Sequence, residues 1–89
     1  AGMHGFTMAV AQEGAARNVT VNTVSPGYVE TAMTLAMRDD VRESIISGIP
    51  MRRMAQPAEI AAAIAFLASD EAGYITGANI PVNGGLFMH

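Results

Sequence analysis

The sequence predicts an α/β fold, the end of a doubly wound domain in which two parallel strands are joined by a helical crossover. A β-branched run over 19–25 favours a strand, because branched side chains pack well on a pleated surface and lose rotamer freedom in a helix. A second short strand is predicted over 79–83, and helical patterns fill most of the residues between the two. This order is typical of a βαβ unit, so the strands should be parallel and the crossover right-handed. Two strands alone make a poor parallel sheet, which indicates that earlier strands are missing.

The first predicted element is a helix over 1–17, in which Met3, Phe6 and Val10 fall at helical spacing. The strand over 19–25 follows and stops at Pro26-Gly27, because proline cannot donate to a strand ladder and glycine can take φ > 0. In an open parallel sheet, ligands bind beyond the carboxyl ends of the strands. The loop over 26–30 is therefore where a small molecule should bind.

Two short helices and a connector are predicted after this loop. Thr31 can cap a helix through Met37, and Asp39-Asp40 can begin another that ends at Ser47, before Gly48. The connector over 49–56 contains Arg52-Arg53.

The last predicted helix, over 57–69, begins with Pro57 at its first position and Glu59 two residues later. Its apolar residues occupy both of its faces: Ile60, Ile64 and Leu67 on one, and Ala61, Ala62, Ala65 and Ala68 on the other. Such a helix is usually buried on two sides, here against the sheet and against another helix or another subunit. Asn83-Gly84-Gly85, after the second strand, is typical of turn chemistry.

Composition excludes several classes of function. The chain has 89 residues, no cysteine and a net charge of −3, and its five basic residues are all arginine. This balance argues against nucleic acid and against a polybasic membrane anchor, and the longest apolar run (60–68) is too short to span a bilayer. We expect a cytoplasmic chain that is marginally stable by itself, because a domain of this size buries only about 60% of its extended surface.

Five segments carry a resemblance to a known family. They are GMHGFTMAVAQE, NTVSPGYVETAM, RRMAQPAEIA, FLASDEAGYITG and VNGG. In this order they resemble the C-terminal third of the short-chain dehydrogenase/reductases, which have a Rossmann-type fold. Within the family, FTMAVAQE, SPGY and NGGLFMH are most similar to acetoacetyl-CoA reductases of the polyhydroxybutyrate pathway. The related 3-oxoacyl-(acyl-carrier-protein) reductases share FLASDEA and YITG, and the choice between the two groups stays open.

The resemblance implies hydride transfer from NADPH to the C3 ketone of a short acyl-CoA thioester, with NADH not excluded as the cofactor. The family's catalytic Ser, Tyr and Lys are not among these residues, and neither Tyr28 nor Tyr74 has a lysine partner. We therefore expect the 89 residues alone to be inactive and to need the remainder of the reductase domain. The family also implies a homotetramer, in which the 57–69 helix and the last strand pack against their twins.

The resemblance also assigns site residues. The predicted cofactor contacts, along the nicotinamide, are Pro26, Gly27, Tyr28, Val29 and Thr31. The predicted substrate contacts are Gly27, Tyr28, Met33 and Met37, the two methionines lying in a substrate lid over 31–55. The plainer alternatives are an ordinary strand-to-loop turn at Pro26-Gly27 and simple core filling by the methionines.

Other polar residues have plainer interpretations. Arg38, Arg42, Arg52 and Arg53 could meet CoA phosphates, but for any one of them we favour a solvated face or an ion pair with Glu59. His4 and His89 have no ligand spacing, so we predict helix-surface and tail positions and no metal site. A rival from a different class is a non-catalytic module that oligomerises through the 57–69 helix.

Overall fold

Two short parallel strands form the one sheet in the computed structural model, which describes residues 2–86. The predicted helix start at Ala1 and tail position of His89 lie outside the described residues, as does the side chain of His4. Along the chain the elements are α1 (Gly2–Ala15), β1 (Thr23–Pro26), α2 (Ala32–Leu35), α3 (Asp39–Gly48), α4 (Pro57–Leu67), a 3-10 turn (Asp70–Ala72) and β2 (Asn79–Val82).

The predicted parallel pairing is confirmed. Thr23 lies opposite Asn79 at the start of the sheet, and Pro26 lies opposite Val82 at its end. Both strands therefore finish at the same edge, and the crossover between them carries α2, α3, α4 and the 3-10 turn. This arrangement defines the fold as part of a Rossmann-type α/β domain.

Strand β1 is shorter at its start than the predicted 19–25 and one residue longer at its end. Pro26 is its last paired residue and lies opposite Val82. The hydrogen bond that closes this pair is donated by the Gly27 N–H to the Val82 carbonyl at 3.0 Å. Before Thr23 the chain is joined to the 75–78 segment by one backbone bond and by side-chain contacts, and no regular ladder forms. The Val21 N–H donates to Thr76 Oγ1 at 3.0 Å, and the Val21 carbonyl accepts from the Gly77 N–H at 2.8 Å.

The Asn22 side chain joins the segment before β1 to the segment before β2. Its Nδ2 donates to the Ile75 carbonyl at 3.0 Å, and its Oδ1 accepts from the Ala78 N–H at the same distance. One side chain thus satisfies two backbone groups that lie more than fifty residues further along the chain. It replaces the ladder that a longer β1 would have provided.

Helices α1 and α4 end earlier than predicted. Helix α1 stops at Ala15 rather than at residue 17, and the chain then turns through Asn18, whose φ of 61° is left-handed. Helix α4 stops at Leu67 rather than at residue 69, because the Ser69 N–H bonds the Phe66 carbonyl three residues back and tightens the last turn.

The two short helices of the crossover differ at their starts. Thr31 caps α2 as predicted, but α2 ends at Leu35, before Met37. Helix α3 begins with the predicted aspartate pair in its first turn, where carboxylates favour the positive helix end, and it extends to Gly48. Neither aspartate is the capping residue, because Arg38 occupies that position without a side-chain cap bond.

The buried apolar core of the described residues is small. It consists of Ala11, Ile49, Met54 and Ala72. Helix α4 contacts β1 and the 3-10 turn, but Ile64 and Phe66 remain 53% and 47% exposed. The radius of gyration is 15.6 Å, against about 12 Å for an independent domain of this length. Among residues 2–86, no helix has the length and hydropathy needed to cross a bilayer.

We predict that Asn22→Ala destabilises the full-length protein by about 1–3 kcal/mol, because two neutral hydrogen bonds are lost and their backbone partners are left unpaired. Urea unfolding would measure the change in the free energy of unfolding. Glu43→Ala is the control, since this exposed residue makes no side-chain hydrogen bond or ion pair in the described structure, and it should change stability by less than about 0.5 kcal/mol. Equal stabilities of the two variants would contradict the role given to Asn22.

Candidate functional site

The loop after β1 and the turn after β2 pack directly against each other. If Gly27 carried a Cβ, that atom would lie 2.9 Å from Asn83 Cβ and 3.0 Å from Asn83 Cα. Gly27 is not among the described glycines with positive φ, so the structure does not use the left-handed φ that a glycine allows here. The glycine is needed because the backbone of Asn83 leaves no room for a side chain.

A cleft of about 310 Å³ opens at this edge of the sheet. Its lining comes from the loop after β1, the connector, α4 and the end of β2: Tyr28, Met51, Arg53, Ala55, Glu59, Pro81, Val82, Asn83, Gly84 and Gly85. The Met51 N–H donates to the Gly84 carbonyl at 3.0 Å, which ties the connector to the turn. The predicted position of a binding crevice, beyond the carboxyl ends of two parallel strands, thus coincides with a real concavity.

Tyr28 is the predicted site residue that lines the cleft. The residue is 42% exposed. Pro26, Val29 and Thr31 belong to the same loop region but do not line the cleft. Met33 is 78% exposed and Met37 is half-buried, and neither of them lines it.

The backbone of Val29 is held in one orientation by a bridge to Ala55. The Ala55 N–H donates to the Tyr28 carbonyl at 2.9 Å, and the Glu30 N–H donates to the Ala55 carbonyl at 2.8 Å. Because successive residues of an extended segment point their polar groups to opposite sides, the N–H and carbonyl of Val29 face away from Ala55. The carbonyl accepts from Thr34 Oγ1 at 3.1 Å, and no hydrogen bond within residues 2–86 uses the Val29 N–H.

Thr31 has a structural role in the helix that follows. Its Oγ1 accepts from the Thr34 N–H at 3.4 Å, and its own N–H donates to Thr34 Oγ1 at 2.7 Å. This reciprocal pair is a capping box, which fixes the direction of α2. The Thr31 side chain is exposed and can still donate its hydroxyl proton to a ligand.

Glu59 gathers three hydrogen bonds on one carboxylate. Arg53 donates from both terminal nitrogens, at 2.6 and 2.8 Å, and the Gln56 N–H donates at 2.9 Å. The hydrogen bonds that Arg53 and Gln56 donate lower the pKa of Glu59 to about 2, and the bonds that Arg53 donates to Glu59, with the attraction between the two charges, raise the pKa of Arg53. The predicted ion pair with Glu59 is therefore confirmed for Arg53.

The other arginines are divided between pairing and solvent. Arg38 forms an exposed ion pair with Asp40 at 2.8 Å. Arg42 and Arg52 make no ion pair with any described residue. For these two arginines the structure does not distinguish contact with CoA phosphates from a solvated position. No cluster of three or more residues of the metal-binding types occurs within residues 2–86.

Most residues that line the cleft are not predicted from the sequence. The pattern at Asn83, Gly84 and Gly85 indicates only a turn, although the predicted parallel pairing places the ends of both strands at one edge of the sheet. Met51 and Ala55 carry no such signal, because they reach the cleft through the folding of an irregular connector.

Comparison with known proteins identifies the class to which this fold and strand-end site belong. Residues 1–87 match a family model described as enoyl-(acyl carrier protein) reductase, which is one of the short-chain dehydrogenase/reductases. The chain belongs to the short-chain dehydrogenase/reductase family, as the sequence motifs predicted.

Several curated relatives are similar over nearly the whole chain. An acetoacetyl-CoA reductase of Allochromatium vinosum is 86% identical over 89 residues, and one of Acinetobacter sp. is 55% identical over 89 residues. A 3-oxoacyl-(acyl-carrier-protein) reductase of Vibrio harveyi is 54% identical over 88 residues. In each case the matched region is 36% of the relative's length, so the chain spans about a third of these proteins.

We predict that Gly27→Ala destabilises the full-length protein by about 1–3 kcal/mol, the usual cost of forcing an atom into a packed site. Gly48→Ala is the matched control, because an added Cβ there meets nothing within 4 Å. It should be neutral or slightly stabilising, since alanine favours a helix over glycine by up to about 1 kcal/mol. Chemical denaturation of both variants provides the comparison, and similar costs at the two sites would contradict the packing argument.

We also predict a pH-dependent contribution from Glu59. Its pKa is lowered from 4.5 to about 2, so the stabilisation is fully present above pH 4.5 and is lost as the pH falls towards 2. The difference in Tm between the wild-type protein and Glu59→Gln should therefore be larger at pH 6 than at pH 3.5. It should also shrink in 1 M NaCl, because the pair is exposed and screened. A difference that is independent of pH would show that the ionised carboxylate is not what stabilises the fold.

Proposed function

We propose that this chain is the C-terminal portion of an NADPH-dependent acetoacetyl-CoA reductase. In this reaction a hydride adds to C3 of the substrate and a proton to its ketone oxygen, which gives 3-hydroxybutyryl-CoA. The observation that carries the proposal is the 86% identity, over all 89 residues, to an acetoacetyl-CoA reductase.

The nicotinamide end of the cofactor is proposed to lie along Pro26, Gly27, Tyr28, Val29 and Thr31. The structure offers a polar group that fits the carboxamide: the N–H of Val29, which has no partner within residues 2–86 and is held in one orientation by the bridge to Ala55. The exposed hydroxyl of Thr31 is a second donor. The bound NADPH would supply the hydride, while these backbone and hydroxyl contacts would fix which face of the ring the ketone meets.

The acyl-CoA substrate is proposed to contact Gly27, Tyr28, Met33 and Met37. Support is strongest for Tyr28, which lines the strand-end cleft while 42% of the residue stays exposed. Met33 projects into solvent from α2, in a segment that we propose as a lid over 31–55. An unbranched thioether side chain there can adapt to an acyl chain when the lid closes.

The catalytic Ser, Tyr and Lys are proposed to lie in the remainder of the reductase domain. All five basic residues of this chain are arginine, so it contains no lysine that could assist a catalytic tyrosine. The residues described here would therefore bind and orient, while proton transfer to the ketone oxygen would come from outside them.

A homotetramer is proposed for the full-length protein. The support is α4, whose apolar surface is only partly used: one side contacts β1, while Ile64 and Phe66 stay about half exposed. An apolar surface of this kind is usually covered by another element or subunit.

The second candidate function is a 3-oxoacyl-(acyl-carrier-protein) reductase, favoured by the 54% identity to the Vibrio harveyi enzyme. The two candidates share their chemistry and differ in the carrier of the acyl group. We expect kcat/KM of the full-length protein to be at least about tenfold higher for acetoacetyl-CoA than for an acyl-carrier-protein thioester, a difference of about 1.4 kcal/mol in transition-state binding. NADPH and NADH should be compared in the same assay. A preference for the carrier-protein thioester would select the second candidate.

For the isolated 89 residues we predict no NADPH oxidation and weak structure or aggregation. The reasons are the lack of lysine, the small buried core and the large exposed apolar side chains. Circular dichroism during heating and size-exclusion chromatography would test the structural part. A cooperative melt together with a defined oligomer would instead support the non-catalytic module.

A further inference from the structure

We propose that Glu59 is a positioning residue for the nicotinamide loop, acting through the connector segment that contains Arg53, Ala55 and Gln56. This inference rests on the proposed function, because the group it positions is the Val29 backbone. Glu59 itself would touch neither cofactor nor substrate.

The first step of the argument is that one carboxylate fixes both sides of Ala55. Arg53, two residues before Ala55, donates two hydrogen bonds to Glu59, and Gln56, one residue after it, donates its N–H. Parallel charge-assisted bonds between a guanidinium and a carboxylate constrain orientation as well as distance. Ala55 is thus presented to the loop from a segment that is anchored at both ends to the first turn of α4.

The second step is that this segment holds the loop. The N–H and the carbonyl of Ala55 form the two hydrogen bonds to Tyr28 and Glu30. Gln56 adds a third contact, because its Nε2 donates to Glu30 Oε2 at 2.6 Å. Together the three bonds join two segments about 26 residues apart in sequence. They hold Tyr28 and Glu30, the residues on either side of Val29.

The third step is that the Val29 backbone has little other support. Its carbonyl accepts from Thr34 Oγ1, but no described hydrogen bond uses its N–H. The direction of that N–H therefore depends on the bridge to Ala55, and the bridge depends on the segment fixed by Glu59. A small rotation here would move the donor that is proposed to meet the nicotinamide carboxamide, and positioning errors of this kind weaken binding and catalysis.

The contact acts by geometry and not as a pH switch. With its pKa lowered to about 2, Glu59 stays ionised at every pH at which a reductase is assayed. The Arg53 and Glu59 side chains are 55% and 41% exposed, so their pairing contributes little to global stability. An interaction with a small stabilising effect can still select one orientation of a short loop.

The test compares two truncations in the full-length protein, Glu59→Ala and Asp40→Ala. Both remove an exposed carboxylate from the first turn of a helix, and both break an ion pair with arginine. Only Glu59 is connected to the loop by described hydrogen bonds. Two readouts are measured: amide hydrogen exchange at Glu30 and Ala55 without cofactor, and the separate kcat and KM values with NADPH and acetoacetyl-CoA.

We expect Glu59→Ala to speed exchange at the two amides about tenfold and to raise the KM for NADPH about three- to tenfold, with kcat changed less than about twofold. Asp40→Ala should leave exchange at the two amides unchanged, and Arg53→Lys, which keeps the charge but not the paired geometry, should give intermediate values in both readouts. Unchanged exchange and unchanged KM in Glu59→Ala would overturn the proposal, as would an equal effect of Asp40→Ala on exchange.

If Glu59→Ala does not fold, Gln56→Ala takes its place, because it removes the contact with Glu30 and leaves the Arg53 pair intact. It should speed exchange at Glu30 and raise the same KM, and no change in either would overturn the proposal. If the wild-type protein does not reduce acetoacetyl-CoA, the proposed function fails. The exchange comparison would still decide whether Glu59 holds the loop.

Discussion

The parallel register of β1 and β2 is the constraint on which the rest of the structure depends. Pairing Pro26 with Val82 places the residues that follow each strand at the same edge, so Gly27 and Asn83 must pack against each other. Parallel strands also cannot be joined by a tight turn. The long connection that results contains the connector and α4, which line the cleft together with the loop after β1 and the end of β2.

Hydrogen bonds from side chains extend this sheet at both ends. Asn22 replaces the missing ladder before β1, and Glu59 fixes the connector that bridges the loop after it. In each case one polar side chain holds two partners, which suits a sheet with only four paired residues in each strand. The binding edge is thus ordered by a few specific contacts, since the buried apolar core of the described residues is too small to order it.

The sequence was sufficient to predict the features that depend on local patterns. The strand end at Pro26-Gly27, the cap at Thr31 and the helix start at Pro57 all follow from the conformational limits of those residues. Propensity alone extends β1 back to residue 19, but a strand also needs a partner, and before Thr23 one backbone bond from Gly77 and several side-chain contacts take the place of a regular ladder. The cleft could be predicted only in part, because Met51 and Ala55 reach it through the path of an irregular connector. At Gly27 the structure uses the small size of glycine and not its freedom to take a positive φ, because Asn83 lies where a Cβ would be.

Two adjacent residues of the loop after β1 face different surroundings. Tyr28 lines the cleft, while Val29 turns its N–H and carbonyl away from Ala55. In the function proposed above, substrate contacts at Tyr28 and cofactor contacts through the Val29 backbone would therefore come from neighbouring residues without competing for the same atoms. The residue at position 28 could then change to suit another acyl carrier while the hydrogen bonds to Ala55 keep the Val29 backbone in place.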